Sequence, residues 1–236
     1  MEKMEHHAPG LELAGIHFDL SALLMIGVTS IFVLILAIAG ASKASVTNPS
    51  KLQNFMEWVV EFVEGIIGST IGAKQGKPFV ALGMTLIMYI FIGNMLGLPF
   101  SLVTEDHVSW WKSPTADIAV TAALTIIVFV LSHYLGITRN TKHYFAHYFE
   151  YKGSMLILHL IELVSKPLTL AFRLYGNIYA GEIMISVILG AGWFGVVPLF
   201  VWQGFSVFVG AIQAFVFTML TMVYISQTLI HEEEGH

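Results

Sequence analysis

No cysteine occurs anywhere in the 236-residue chain, which excludes disulfides and thiolate metal sites at once. Charge is nearly as scarce. Only 11% of the residues are Asp, Glu, Lys or Arg, against about 25% in a soluble domain, while 56% are hydrophobic and the mean hydropathy is +0.75. The net charge of -5 is spread over termini and loops, so nothing suggests a nucleic-acid partner. Internal repeats, low-complexity tracts, an HExxH metal motif and a nucleophile constellation are all missing. His6 and His7 stand side by side, but with no supporting ligand set they read as part of a solvated terminus. What remains is an all-α integral membrane protein, expected to hold no metal and no cofactor.

Windows long enough to cross a hydrocarbon core of roughly 30 Å cover residues 18–41, 79–103, 118–137, 156–189 and 197–230. They predict five transmembrane helices. Residues 53–71 add an amphipathic interfacial helix, because Glu57, Glu61 and Glu64 fall at helical spacing against Phe55, Val59, Phe62 and Ile66. Residues 1–17 carry Glu2, Glu5 and Glu12 and lack the basic start of a signal peptide, so the first apolar run is expected to be retained. The last two windows exceed the roughly 20 residues of a perpendicular span and predict a long, steeply tilted hairpin. Gly190, Gly192 and Gly195 suit its reversal, Pro198 suits the first turn of the last helix, and Pro167 is a kink candidate.

Basic residues set the orientation. Lys43, Lys51, Lys74 and Lys77 follow the first span, and Arg139, Lys142 and Lys152 follow the third, whereas Lys112 stands alone after the second. The N-terminus is therefore expected outside and the tail 231–236 in the cytoplasm. Trp110, Trp111 and Trp193 fit anchors at the outer interface.

One residue violates the apolar pattern most strongly. Arg173 lies in the middle of the 156–189 span, and a guanidinium cannot shed its proton, so it needs a wet cavity or a carboxylate. Glu162, Lys166, Thr169, Arg173 and Asn177 share one helix face at about 100° per residue. Glu182 lies nine positions after Arg173, on roughly the opposite side. A buried carboxyl there can hold or lose a proton, which suits a relay. On the last helix, Gln203, Ser206, Gly210 and Gln213 form a second polar stripe, with Asn94 and Asp117 contributed by the second and third spans.

Structural readings stand beside these functional ones. Glu162 and Lys166 also fit a snorkelling interfacial pair, and Asn94, Gln203 and Gln213 also fit interhelical hydrogen-bond glue. Thr169 and Ser206 fit hydroxyls bonded to their own helix, and Asp117 fits a helix cap. For Arg173 a purely structural role is disfavoured by the cost of a charge at that depth.

The segment Ser165-Lys-Pro-Leu-Thr-Leu-Ala-Phe-Arg-Leu-Tyr-Gly-Asn-Ile-Tyr-Ala-Gly-Glu182 resembles the signature of subunit a of the F-type ATP synthase, in its bacterial form. Gly93-Asn-Met-Leu-Gly-Leu-Pro99, Trp110-Trp-Lys-Ser-Pro-Thr-Ala-Asp117 and Ile212-Gln-Ala-Phe-Val-Phe-Thr-Met-Leu-Thr-Met-Val-Tyr224 support it, in family order. The resemblance implies a stator in the bacterial plasma membrane that shapes two offset half-channels for protons against a ring of c subunits. A peripheral stalk of b subunits and the F1 ATPase complete the expected assembly. Arg173 would face the ring as an electrostatic gate. Asn94, Asn177, Glu182 and Gln213 would line the outer half-channel, and Glu162, Ser165, Lys166 and Thr169 would border the cytoplasmic one. Ser206, Asp117 and Gln203 are secondary candidates. Some family members carry a histidine where this chain has Ser206 and an acid where it has Gly97, so the outer path here is expected to lean more on Glu182 and water. A self-contained secondary transporter, with Arg173 holding an anionic substrate and Glu182 coupling protons, is the competing class. Its frequent inverted repeats and broken helices are not evident in the sequence.

Overall fold

A computed structural model of the chain describes residues 10–13, 16–42, 44–97, 102–103, 109–139 and 154–229. His6, His7, Lys43, Lys142, Lys152 and the tail 231–236 lie outside the described residues. Six α-helices dominate the rest. Two short antiparallel hairpins, which hydropathy does not signal, accompany them: β1 (Gly10–Leu13) with β2 (Ile16–Asp19), and β3 (Leu102–Val103) with β4 (Ser109–Trp111).

Helix α1 (Leu20–Ala41) starts where Asp19 takes an extended conformation and its Oδ1 accepts the Ala22 N–H at 3.1 Å, satisfying one of the free donors of the first turn. Its sequence is apolar on every side, and only Ser21, Ala22, Met25, Thr29 and Gly40 are buried. Helix α2 (Lys51–Thr70) is capped in the same way by Ser50. Its buried stripe comprises Val59, Val63, Ile66 and Ile67 and packs on the later helices. That stripe centres on Val63, one step round the helix from the expected apolar face. Phe55 and Phe62 therefore sit exposed at its rim beside Trp58, with Glu57, Glu61 and Glu64 also exposed.

Helix α3 (Val80–Gly97) follows a 3-10 turn at Lys77–Phe79. It stops short of residue 103, where the apolar window ended, and Leu102–Val103 pairs with β4 instead. Gly97 lies so close to the Ser113 backbone that a Cβ would occupy the same space.

Helix α4 (Ile118–Arg139) begins at Asp117, whose Oδ1 accepts the Ala119 N–H at 2.7 Å and the Val120 N–H at 3.4 Å. Helices α5 (Ser154–Gly190) and α6 (Val196–Leu229) contain 37 and 34 residues, so at about 1.5 Å per residue they run about 55 and 50 Å. Pro167 is accommodated inside α5 without ending it. Between them a 3-10 turn, Gly192–Gly195, reverses the chain, and Gly192 sits at φ 61°, a left-handed conformation suited to glycine.

Leu86 and Ile90 of α3, Val128 of α4, Leu170, Leu174 and Ile178 of α5, and Phe217, Met222 and Ile225 of α6 belong to one continuous core. Segments Leu20–Ala41, Lys77–Gly97, Ile118–Thr138 and Gly192–Thr228 are long and apolar enough to cross a membrane. Helix α5 has the length as well, but it carries Glu162, Lys166, Arg173 and Glu182.

Candidate functional site

Two faces of α5 divide its residues by role. Leu170, Leu174 and Ile178, spaced four apart, are fully buried and bind the helix to the core. The polar row lies on the other side: Glu162, Ser165, Thr169, Arg173 and Asn177 are exposed, and Lys166 is half-buried. Arg173 thus projects from an outer surface flanked by Leu168 and Phe172, which are also exposed. No carboxylate among the described residues pairs with it, and Glu182 in particular does not.

Glu182 belongs to the opposite face, as the helical angle requires. It is half-buried between Gly181 and Ile185, both buried. Its Oε1 accepts the backbone N–H of Ser113 at 2.9 Å. From Ser113 a compact network reaches α3. The Ser113 hydroxyl lies 2.8 Å from that of Thr115 and donates to the Gly93 carbonyl at 3.3 Å, while Thr115 donates to Asn94 Oδ1 at 2.5 Å. Asn94 then donates to the Gly210 carbonyl of α6 at 3.0 Å. Asn94, Ser113 and Thr115 are completely buried, so each of these bonds replaces one that water would otherwise supply.

The same turn is fastened from outside. Lys112 pairs with Asp19 at the start of α1 and lies 3.9 Å from Asp117 at the start of α4. The Trp111 indole donates to the Leu96 carbonyl at 2.7 Å. One short segment therefore ties together α1, α3, α4 and α5. Asp117 acts here as a cap and a partner of Lys112.

The α6 stripe is bonded to α5 in this region: Asn177 donates from Nδ2 to Gln213 Oε1 at 3.1 Å. Gln213 Nε2 and Ser206 Oγ are buried without a protein partner, two turns apart on the same face of α6. Ordered water commonly satisfies such atoms. Gln203 is half-buried one turn earlier.

At the far end of α5 the groups are different. Lys166 pairs with Glu162 at 2.8 Å, donates to Gln227 at 2.9 Å and stands 5.9 Å above the Tyr224 ring. Thr169 donates to the Ser165 carbonyl at 2.7 Å, a bond within its own helix. Ser226 of α6 donates to the Thr70 carbonyl of α2 at 2.7 Å.

Two polar regions thus lie toward opposite ends of α5, one around Glu182, Asn94 and Gln213, the other around Glu162 and Lys166, with Arg173 between them along the helix. Asn94, Asn177, Glu182, Gln213 and Asp117 lie in or beside the first region, and Glu162, Ser165, Lys166 and Thr169 in the second. Sequence reasoning had assigned no role to Ser113 and Thr115. The available signal was a pair of hydroxyls flanking Pro114, in a motif from which Asp117 alone had been taken.

Comparison with known proteins supplies the remaining context. A family model described as ATP synthase A chain matches residues 22–226. ATP synthase subunit a of Priestia megaterium is 49% identical over 231 residues, covering 94% of this chain and 97% of the relative. The protein of the same name from Bacillus subtilis strain 168 is 47% identical over 245 residues, covering 97% of this chain and all of the relative. That of Listeria monocytogenes serotype 4b strain F2365 is 47% identical over 239 residues, with the same coverage.

Proposed function

The chain belongs to the ATP synthase A chain family, a proton-translocating component of the membrane sector, and from that membership we propose how its residues divide the work. Helices α1, α3, α4, α5 and α6 span the bilayer, α2 lies at its interface, and α5 with α6 forms a steeply tilted hairpin. The lengths of the last two helices support the tilt, since about 50 Å of helix either slants within a core of roughly 30 Å or extends beyond it. The N-terminus is outside and the C-terminus is cytoplasmic, as the distribution of Lys and Arg favours.

In this reading the chain is the stator of a two-part proton machine. Its α5 faces a ring of c subunits, each with an essential carboxylate, and a stalk of b subunits holds it against F1. Asn94, Asn177, Glu182 and Gln213 border an outer half-channel. Glu162, Ser165, Lys166 and Thr169 border a cytoplasmic one. Arg173 separates them: its fixed positive charge favours the ionised ring carboxylate as it passes and repels a proton moving directly between the two paths.

A single observation carries this proposal. Arg173 is exposed on α5 with no carboxylate partner among the described residues, beside exposed Leu168 and Phe172. A charge so placed is costly unless a partner comes from outside the chain. The deciding experiment is Arg173→Ala in the intact complex, reconstituted in vesicles. ATP-driven acidification should be lost and the passive proton leak should rise. Coupled pumping at the native rate without added leak would refute the gate.

A further inference from the structure

We propose that the Lys112–Thr115 turn is a positioning element for Glu182, with the Ser113 backbone N–H as the group that holds the carboxylate in place. The inference rests on the reading of Glu182 as a proton-path residue and adds the element that orients it.

Four observations support it. The contact is direct, since Ser113 N lies 2.9 Å from Glu182 Oε1. The turn that presents this N–H is locked from inside, because Ser113 and Thr115 are fully buried, the Ser113 hydroxyl donates to the Gly93 carbonyl at 3.3 Å and the Thr115 hydroxyl donates to Asn94 Oδ1 at 2.5 Å. It is locked from outside by the pairing of Lys112 with Asp19. Finally, Gly97 leaves no space between α3 and the Ser113 backbone, so the turn occupies the volume that a side chain at position 97 would need.

The last point links the geometry to sequence. Residue 97 has no carboxyl to offer, and Ser206, nearby on the α6 stripe, cannot titrate in the physiological range. Glu182 is then the only carboxylate joined to the Ser113–Thr115–Asn94 network among the described residues. A lone carboxylate gains from being fixed, because a flexible side chain would spend time away from the water path. A backbone N–H on a locked turn provides that fixation without titrating itself.

The conformation of the turn makes the test clean. Ser113 has φ -62° and ψ 134°, which proline adopts without strain. Ser113→Pro therefore removes the N–H at a compatible φ while its Cδ pushes the Glu182 carboxylate off the turn, and Ser113→Ala removes only the hydroxyl. Passive proton conductance of vesicles carrying the membrane sector stripped of F1 should be about tenfold lower in the proline variant than in the alanine variant, as expected for loss of a hydrogen bond to a charged group. Equal conductance in the two variants would overturn the proposal. Combining each with Glu182→Asp, whose shorter arm cannot reach the turn, should erase the difference between them; a persisting tenfold ratio would mean that Ser113 acts on something else.

Should the proline variant not assemble with its c ring, the hydroxyl lock decides instead. Thr115→Val should lower conductance severalfold and Thr115→Ser should restore it, and a native rate for Thr115→Val would overturn the proposal. Glu182→Gln, measured alongside, isolates the underlying assumption: native conductance there would sink the role of Glu182 itself, whatever Ser113 does.

Discussion

The Asn177 side-chain amide donates to Gln213 Oε1 at 3.1 Å, joining the exposed polar row of α5 to the buried polar stripe of α6. One partner faces outward and the other is buried, so the bond bridges the surface that carries Arg173 and the interior that carries Asn94. Asn177→Ala and Gln213→Leu should each slow ATP-driven proton pumping. The double variant should be less impaired than the product of the singles by about two- to tenfold, the mark of a shared bond. Strictly multiplicative effects would mean that the residues act separately.

Gly97 admits no Cβ beside the Ser113 backbone, and backbone cannot swing aside as a flexible side chain would. Gly97→Ala should destabilise the region by about 1–3 kcal/mol. The effect should appear as a lower melting temperature of the detergent-solubilised complex, with Gly97→Asp worse than alanine. An unchanged melting temperature for the alanine variant would show that α3 and the turn can separate at little cost.

Lys112 and Asp19 are both largely shielded, at 17% and 22% side-chain exposure. Lys112→Met or Asp19→Asn should let the backbone amides of the turn exchange with solvent about tenfold faster, in keeping with the loss of a charged hydrogen bond. The double variant should exchange no faster than the worse single. Mass-spectrometric hydrogen exchange on the peptide spanning residues 109–117 measures this directly.

Lys166 and Glu162 present the opposite case. At 33% and 52% exposure their pair is screened, and Lys166→Gln should change the stability of the complex by less than about 1 kcal/mol. A larger loss would point to the Gln227 bond or the Tyr224 ring as the real anchor. Any effect on pumping should then be separable from assembly.

Helical periodicity made much of this arrangement readable in advance. Apolar windows located the long helices to within a few residues at most ends, and an angle of about 100° per residue correctly put Arg173 and Glu182 on opposite faces of α5. Periodicity speaks only within an element. It does not reveal that Lys112 meets Asp19, or that Asn94 meets Gly210, pairs separated by 93 and 116 positions. Hydropathy also carried the second span past Gly97, because Leu98, Phe100, Leu102 and Val103 are as apolar as the helix before them. The contact of Gly97 with the Ser113 backbone and the pairing of Leu102–Val103 with β4 are long-range facts that sequence alone does not display. On α2, the burial of Val63 instead of Phe55 and Phe62 likewise depends on which neighbours arrive.

Asp19 has two oxygens and uses each differently: one starts α1 and the other holds Lys112. Few residues of α1 are buried, and this carboxylate ties its start to the turn that contacts Glu182. A displacement of the start of α1 therefore reaches the turn that contacts Glu182 through a single ion pair, and loss of the Asp19 carboxylate removes a helix cap and that tie together.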